Sequence, residues 1–461
     1  MRSGLNRESL KVLTVSAADE GGGAEKIAMT LFRALRASDH MSWMAVGRRK
    51  KADPDIFTIP DTAWKEALLD WVSPAIAGRL GEARFRRALL QLTNPRFLLD
   101  RLRGREPFHY AGTMRLLDLP PERPDVLHCH NLHGGYFDLR ELARLGSELP
   151  VVLTLHDEWT FTGHCAYTLG CERWRNGCGQ CPHLDVYPAI RRDGSAANWA
   201  AKRAIFNSSR LYVATPSRWL MERVKDSVLA NAIVEAKVIP NGIDLGVFKP
   251  GNRAEARHRL GLPADVLILL FTANRARVSP FKDYVTVRAA ALEVARVLPQ
   301  RRVLLLALGD AGPDEKVGDT EIRFVPYQSE EGTVASYYLA ADVYLHAAHA
   351  DNFPTTILEA SACGLPVVAT AVGGIPEQID SLDYHGLREG AGSGDNAEKA
   401  TGVLVPPGDS MAMAEAVRLL LEAPNLRTRL SRNAAERAQR EWSEVRMVEA
   451  YLDWYRQILR A

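Results

Sequence analysis

Short apolar runs recur along the chain with helix-length segments between them, in two sets separated by one punctuated string. The first set is KVLTVSA (residues 11–17), MSWMAV, DVLHCH, VVLTLH and LYVAT. The second is VLILLFTA, RVLLLALG, IRFVP, DVYLHAA, LPVVAT and GVLVPP, with helical patterns over 282–298 and 409–422. Strands that alternate with helices argue for a parallel sheet with helices on both faces. Between the sets, VIPNGIDLGVFKP (residues 238–250) carries Asn-Gly and two prolines, which mark a boundary. At 461 residues the chain exceeds what one core supports. The expectation is therefore an α/β protein of two doubly wound domains, with ligands beyond the carboxyl ends of the strands.

Composition narrows the partners. A net charge of +2 gives no global attraction to nucleic acid. The start, MRSGLNRESLKV, enters a strand without an apolar leader, and no apolar run reaches the ~18–20 residues of a membrane span. A cytoplasmic protein is expected. The charge is uneven, however. Residues 64–110 hold nine basic residues against five acids, interleaved with Trp64, Trp71, Phe85 and Phe97. Such a segment suits the anionic inner face of a membrane, or a solvated arginine face over an ordinary apolar stripe.

The chemistry concentrates in ADNFPTTILEASACGLPVVATAVGGIP (residues 350–376). Asp351 and Glu359 stand eight positions apart. Pro354 suits a first helical turn, LPVVAT reads as a buried strand, and Gly373-Gly374 lets backbone approach a ligand closely. The layout suits holding a sugar and a ribose by their hydroxyls, beside a phosphate cradled by N–H groups. In NRARVSPFKDY, Arg275, Arg277 and Lys282 are placed to neutralise a diphosphate, and the spacing leaves the choice of arginine open. SAADEGGGAEKIA leads three glycines, Gly22 and Gly23 among them, into a helix carrying Glu25, without the G-x-G-x-x-G of a dinucleotide site.

His128, His130 and His133 follow one strand, but no carboxylate is spaced to complete a metal site with them. Resemblance to family 4 glycosyltransferases implies that His130 and Asn131 contact an acceptor or a reacting sugar, and that His156 steadies a donor or acceptor sugar. Asp157 is a candidate there too, with a helix cap as its competing role. Four of six cysteines, Cys165, Cys171, Cys178 and Cys181, fall within seventeen positions. In a reducing compartment they point to a structural zinc, with a packed reduced loop, or two bridges in an oxidising compartment, as the other outcomes.

These motifs resemble those of family 4 glycosyltransferases, retaining enzymes of the GT-B fold. Residues 350–376 resemble the E-x7-E donor segment, with Asp351 one methylene shorter than the usual glutamate. Residues 238–250 resemble the interdomain P-N-G-[IV]-D-x3-F-x-P string, and GGAE resembles the glycine loop facing the cleft. Asn274 and Asp283 replace two usual glycines around the Arg/Lys pair. The W-x-F-T-G-H-C…G-C…G-C-x-x-C-P layout resembles a branch linked to exopolysaccharide and capsule assembly, including colanic acid-type polymers.

The resemblance implies an acceptor-side domain over 1–243, with a basic insertion at 61–110 and a Cys-rich loop at 158–188. It implies a donor domain over 244–440 and a final helix, 441–461, returning to the first domain. It further implies metal-independent transfer of a hexose from UDP or GDP to a saccharide or lipid-linked acceptor. Glu359 would hold the ribose, Asp351 the donor sugar, and Gly373 and Gly374 the phosphates. His130, Asp351 and Lys282 form the candidate catalytic set. A nucleotide-sugar epimerase or hydrolase, or a transferase-like subunit without turnover, are the alternatives.

Overall fold

Two seven-stranded sheets organise the chain, and both follow from apolar runs buried on two faces. The computed structural model describes residues 9–60, 95–383 and 396–461. Trp64, Trp71 and Phe85 of the basic segment, and the glycine-rich patch at 390–394, lie outside the described residues. The chain divides into one unit of Met1–Ile239 with Val448–Ala461, and a second of Pro240–Met447.

The first sheet runs β3-β2-β1-β4-β5-β6-β7. Its strands are β1 (Lys11–Ala18), β2 (Met41–Arg48), β3 (Ile56–Thr58), β4 (Val126–His130), β5 (Val151–Thr154), β6 (Leu211–Thr215) and β7 (Ile233–Val238). Every pairing is parallel. The order turns at β1 and β4, which places the β1, β4 and β5 ends where such sheets bind ligands.

The second sheet runs β10-β11-β9-β8-β12-β13-β14. Its strands are β8 (Leu267–Thr272), β9 (Val303–Leu308), β10 (Glu315–Val317), β11 (Thr320–Val325), β12 (Val343–His346), β13 (Val367–Thr370) and β14 (Gly402–Val405). Only the short β10 pairs antiparallel. In β8, Leu267, Leu269 and Phe271 enter one core while Ile268 and Leu270 enter the other. That split explains the unbroken apolar run, since alternate residues face opposite helix layers.

Capping residues set the helix starts. Asp409 accepts from Ala412 N at 2.8 Å and begins the Ser410–Glu422 helix. Asp283, at one of the usual glycine positions, caps Tyr284–Val297 through Thr286 N at 3.0 Å and the Thr286 hydroxyl at 2.6 Å. The last helix is Glu444–Arg460, and its residues from Val448 onward belong to the first unit. Tyr451, Trp454, Tyr455 and Ile458 are buried along one stripe, whereas Leu459, expected on that face, is 41% exposed. No helix among the described residues is long and apolar enough to cross a membrane.

Candidate active site

The candidate residues fall into two groups, one in each unit. In the second unit, residues around Phe281 and Lys282 lie against the chain leaving β12. Asp283 N donates to Ala347 O at 3.0 Å, and His349 N donates to Phe281 O at 2.8 Å. This pairing delivers the Lys282 ammonium to the Asp351 carboxylate in a close ion pair. The Asp351 Oδ1 atom accepts from Asn352 N at 3.0 Å, and Oδ2 lies 3.3 Å from His346 Nε2. Burial alone would raise the Asp351 carboxyl, but Lys282 and His346 outweigh it and hold it well below the usual range.

Asp351 belongs to the loop before the Thr355–Ala362 helix, and Glu359 to the helix itself. Pro354 is the residue just outside that helix rather than its first turn. Glu359 is 4% exposed, and its Oε2 accepts from Tyr338 OH at 3.0 Å. Asn241 Nδ2 and Gln378 Nε2 pin the intervening loop through Phe353 O and Pro354 O, at 3.2 and 3.1 Å.

Gly373 has a φ of +57°, and a Cβ there would stand 1.8 Å from Asp351 O. Its lack of a side chain therefore serves the Asp351 loop directly, and Gly374 N donates to the same carbonyl at 3.3 Å. Arg277 is held by Asp310, at 3.2 Å from Nε to Oδ2, and by Ala311 O at 2.6 Å. Its guanidinium also lies over the Phe324 ring at 4.4 Å. Arg275, exposed and left-handed at φ 52°, has no side-chain partner among the described residues. His346, Tyr338 and Tyr344 were not singled out from sequence. Within apolar β12 the histidine reads as an ordinary strand residue.

In the first unit, Gly22 precedes the Gly23–Ala37 helix without a side-chain cap, and Glu25 lies in the first turn. The leading N–H groups of such a helix lack intrahelical acceptors. His130 ends β4, and its Nδ1 is 3.0 Å from His156 Nε2. The His130 Nε2 atom is buried without a hydrogen-bond partner among the described residues. Burial and the neighbouring His128 and His156 push His130 well below its ordinary value, so the ring is neutral. His156 is pushed down to about 4, by burial first and by His133. Asn131 takes a φ of 32°, and its carbonyl accepts from Tyr136 OH at 3.0 Å.

His133 Nε2 lies 2.8 Å from Asp157 Oδ2. Burial lowers His133, yet Asp157, Glu25 and Glu106 together raise it. Asp157 Oδ1 also accepts from Trp159 N at 3.0 Å, although the residue at the cap position of that short turn is Glu158. His128 is a packed core group, 2.7 Å from Thr154 Oγ1 and 2.6 Å from Tyr455 OH.

In the cysteine loop the expected structural zinc stays a proposal. All four thiols are free, and among the described residues no three His, Cys, Asp or Glu side chains gather as metal ligands do. Burial pushes Cys165 up to about 12 and Cys178 up to about 11. Buried ion pairs shape the loop. Lys202, fully buried, contacts Glu106 Oε2 at 2.9 Å and donates to Trp159 O and Thr162 O at 2.8 and 3.1 Å. Arg223 pairs closely with buried Glu158.

A family model described as Glycosyltransferase Family 4 matches residues 21–247, and one described as Glycosyl transferases group 1 matches residues 315–437. D-inositol 3-phosphate glycosyltransferase 1 of Catenulispora acidiphila is 30% identical over 75% of this chain and 74% of its own length. The D-inositol 3-phosphate glycosyltransferase of Saccharomonospora viridis is 36% identical over 49% of this chain and 51% of its own length. The putative colanic acid biosynthesis glycosyl transferase WcaC of Escherichia coli is 27% identical over 54% and 60%. The chain thus spans little more than half the length of these last two relatives.

Among solved structures, sucrose-phosphate synthase of Thermosynechococcus elongatus matches with TM-score 0.61 and 19% identity, over 98% of this chain and 99% of that one. HepE of Anabaena, solved with UDP and glucose, matches with TM-score 0.57 and 16% identity, over 96% and 98%. At these identities the likeness is one of fold.

Proposed function

The chain belongs to glycosyltransferase family 4, with the GT-B fold, and from that premise we propose that it moves a sugar from a nucleoside-diphosphate sugar to a saccharide or lipid-linked acceptor with retention. One observation carries the proposal: in the second unit Lys282 pairs with Asp351, whose loop meets Gly373 and leads into the helix that buries Glu359. Glu359 would accept from the ribose hydroxyls, and Asp351 from the donor sugar. A uridine nucleotide is favoured by the likeness to HepE, which was solved with UDP and glucose. A surface-polysaccharide acceptor at the inner membrane face is favoured by the likeness to the colanic acid transferase.

The bond from the anomeric carbon to the phosphate oxygen breaks, and negative charge develops on that oxygen. Lys282 and Arg275 are the side chains assigned to stabilise it, beside the Gly373 loop. The acceptor oxygen bonds to the same carbon on the same face and passes its proton to the departing phosphate, so no enzymic base is needed. His130 Nε2, buried and without a partner among the described residues, is available to a sugar hydroxyl.

The test is a donor screen with UDP-, GDP-, dTDP- and ADP-sugars in EDTA, recording nucleoside diphosphate release. One donor is expected to be turned over. No release from any donor, with no nucleotide shifting the melting temperature, would favour a subunit without turnover. Glu359→Gln is expected to weaken nucleotide binding by about 10- to 100-fold, the worth of a charged hydrogen bond. Unchanged affinity would remove the ribose assignment.

A further inference from the structure

His346 closes β12 and is fully buried, an unusual end for a strand reading V-Y-L-H. Three groups face its ring among the described residues. Asp351 Oδ2 is 3.3 Å and Lys282 Nζ 3.5 Å from Nε2, and Tyr344 OH is 3.3 Å from Nδ1. Glu359 stands further off, held by Tyr338.

The tautomer follows from what each neighbour is able to do. An ionised carboxylate only accepts and an ammonium only donates. Nε2 carrying the hydrogen satisfies the nearer of these two neighbours, Asp351, and leaves its contact with Lys282 as crowding between two donors. Nδ1 then accepts from the Tyr344 hydroxyl. Burial and Lys282 push the imidazole down to about 4, against the pull of Asp351. The ring is neutral for as long as the ammonium sits beside it.

Lys282 has two claims on it. It is the ion-pair partner of Asp351, and in the proposed transferase it is the cation for the donor diphosphate. When a phosphate draws the ammonium away, Asp351 keeps only Asn352 N–H and His346 Nε2–H of these contacts. A carboxylate in so enclosed a place is costly without a cation. We propose that His346 is a positioning residue for Asp351, which takes up one proton from solvent as Lys282 moves to phosphate, so that the carboxylate keeps a cationic partner throughout donor binding. The proton goes to Nδ1. The Tyr344 oxygen then accepts from it, and its own O–H turns toward the neighbouring Thr356 or Thr272 hydroxyl.

The inference rests on the proposed function, and the experiment separates the two. UDP and GDP are titrated into wild type and His346→Gln between pH 5 and 7, in buffers of different ionisation enthalpy, to count protons taken up. Glutamine still donates to Asp351 but has no proton to gain. Wild type is expected to take up more protons than His346→Gln on binding the same nucleotide. Its affinity should rise relative to the variant as pH falls, by up to about tenfold per pH unit for one linked proton. The phosphate's own titration is common to both proteins and cancels. His346→Leu, which neither donates nor titrates, should lose affinity at every pH, whereas His346→Gln should lose it mainly at low pH. Equal proton uptake in wild type and His346→Gln overturns the inference and leaves the function standing. A wild type that binds none of UDP, GDP, dTDP and ADP overturns both.

Discussion

Arg277 is occupied before any ligand arrives: Asp310 and Ala311 O take its donors, and Phe324 lies under its guanidinium. Arg275 is exposed and carries no such partner among the described residues. Arg275→Ala is therefore expected to weaken UDP or GDP binding by about 10- to 100-fold, the range of a charged hydrogen bond. Arg277→Ala should change affinity by less than about threefold, as checked by calorimetric titration of both variants. The reverse order would reassign the phosphate contact. Sequence left this choice open because both arginines lie within a few residues of Lys282. What separates them is Asp310, 33 positions from Arg277 and carried there by the end of β9. The same limit hid His346, whose role depends on two charges that only the fold brings to it. Asp351, by contrast, was legible as a carboxylate of the site, though not its close pairing with Lys282.

Elements show where pattern suffices and where it fails. Long apolar runs such as those at β8 and β9 announce their strands, because both faces of the sheet are covered and no alternation is needed. The strands that escaped are β3 and β10, three residues each, and β7, whose side chains are half-buried or exposed. Runs so short or so polar carry little periodicity. The Gly373 loop was legible as a close approach, but its partner was not: it meets the Asp351 carbonyl in the first instance. Gly373→Ala should strain the backbone by ~1–3 kcal/mol and displace the Asp351 loop. The expected result is a second unit that still melts cooperatively but binds nucleotide more than tenfold more weakly. Gly374, at φ −89°, adopts a conformation open to any residue, and Gly374→Ala should be milder. Equal losses from the two substitutions would contradict this account.

At the scale of the whole molecule, buried neutral histidines set the response to acid. His128 is pushed down to about 3, His130 well below its ordinary value and His346 to about 4, each by burial first. The unfolded chain protonates them near 6.5, so between about 6.5 and 4 it binds more protons than the fold. Stability should fall as pH falls through that window, by up to ~1.4 kcal/mol per pH unit for each histidine. Below about 4 His346 protonates in the fold as well and its loss levels off, whereas that of His128 runs on to about 3. Two of the three lie in the first unit, so melting curves from pH 7.5 to 4.5 should show that unit failing first, and a flat profile would refute the assignment. The division into two α/β units was legible from the repeated alternation and its punctuated boundary. The bonds closing the first unit were not, since they join residues about 300 positions apart: Thr154 to Tyr451 at 2.9 Å and His128 to Tyr455 at 2.6 Å. This has a temporal side. As the polypeptide leaves the ribosome, the first unit emerges early but lacks two buried hydroxyls until the Val448–Ala461 segment has been made. Its imidazole and threonine must wait in water, or on a chaperone, through synthesis of the entire second unit. The half that is translated first is thus the half that is finished last.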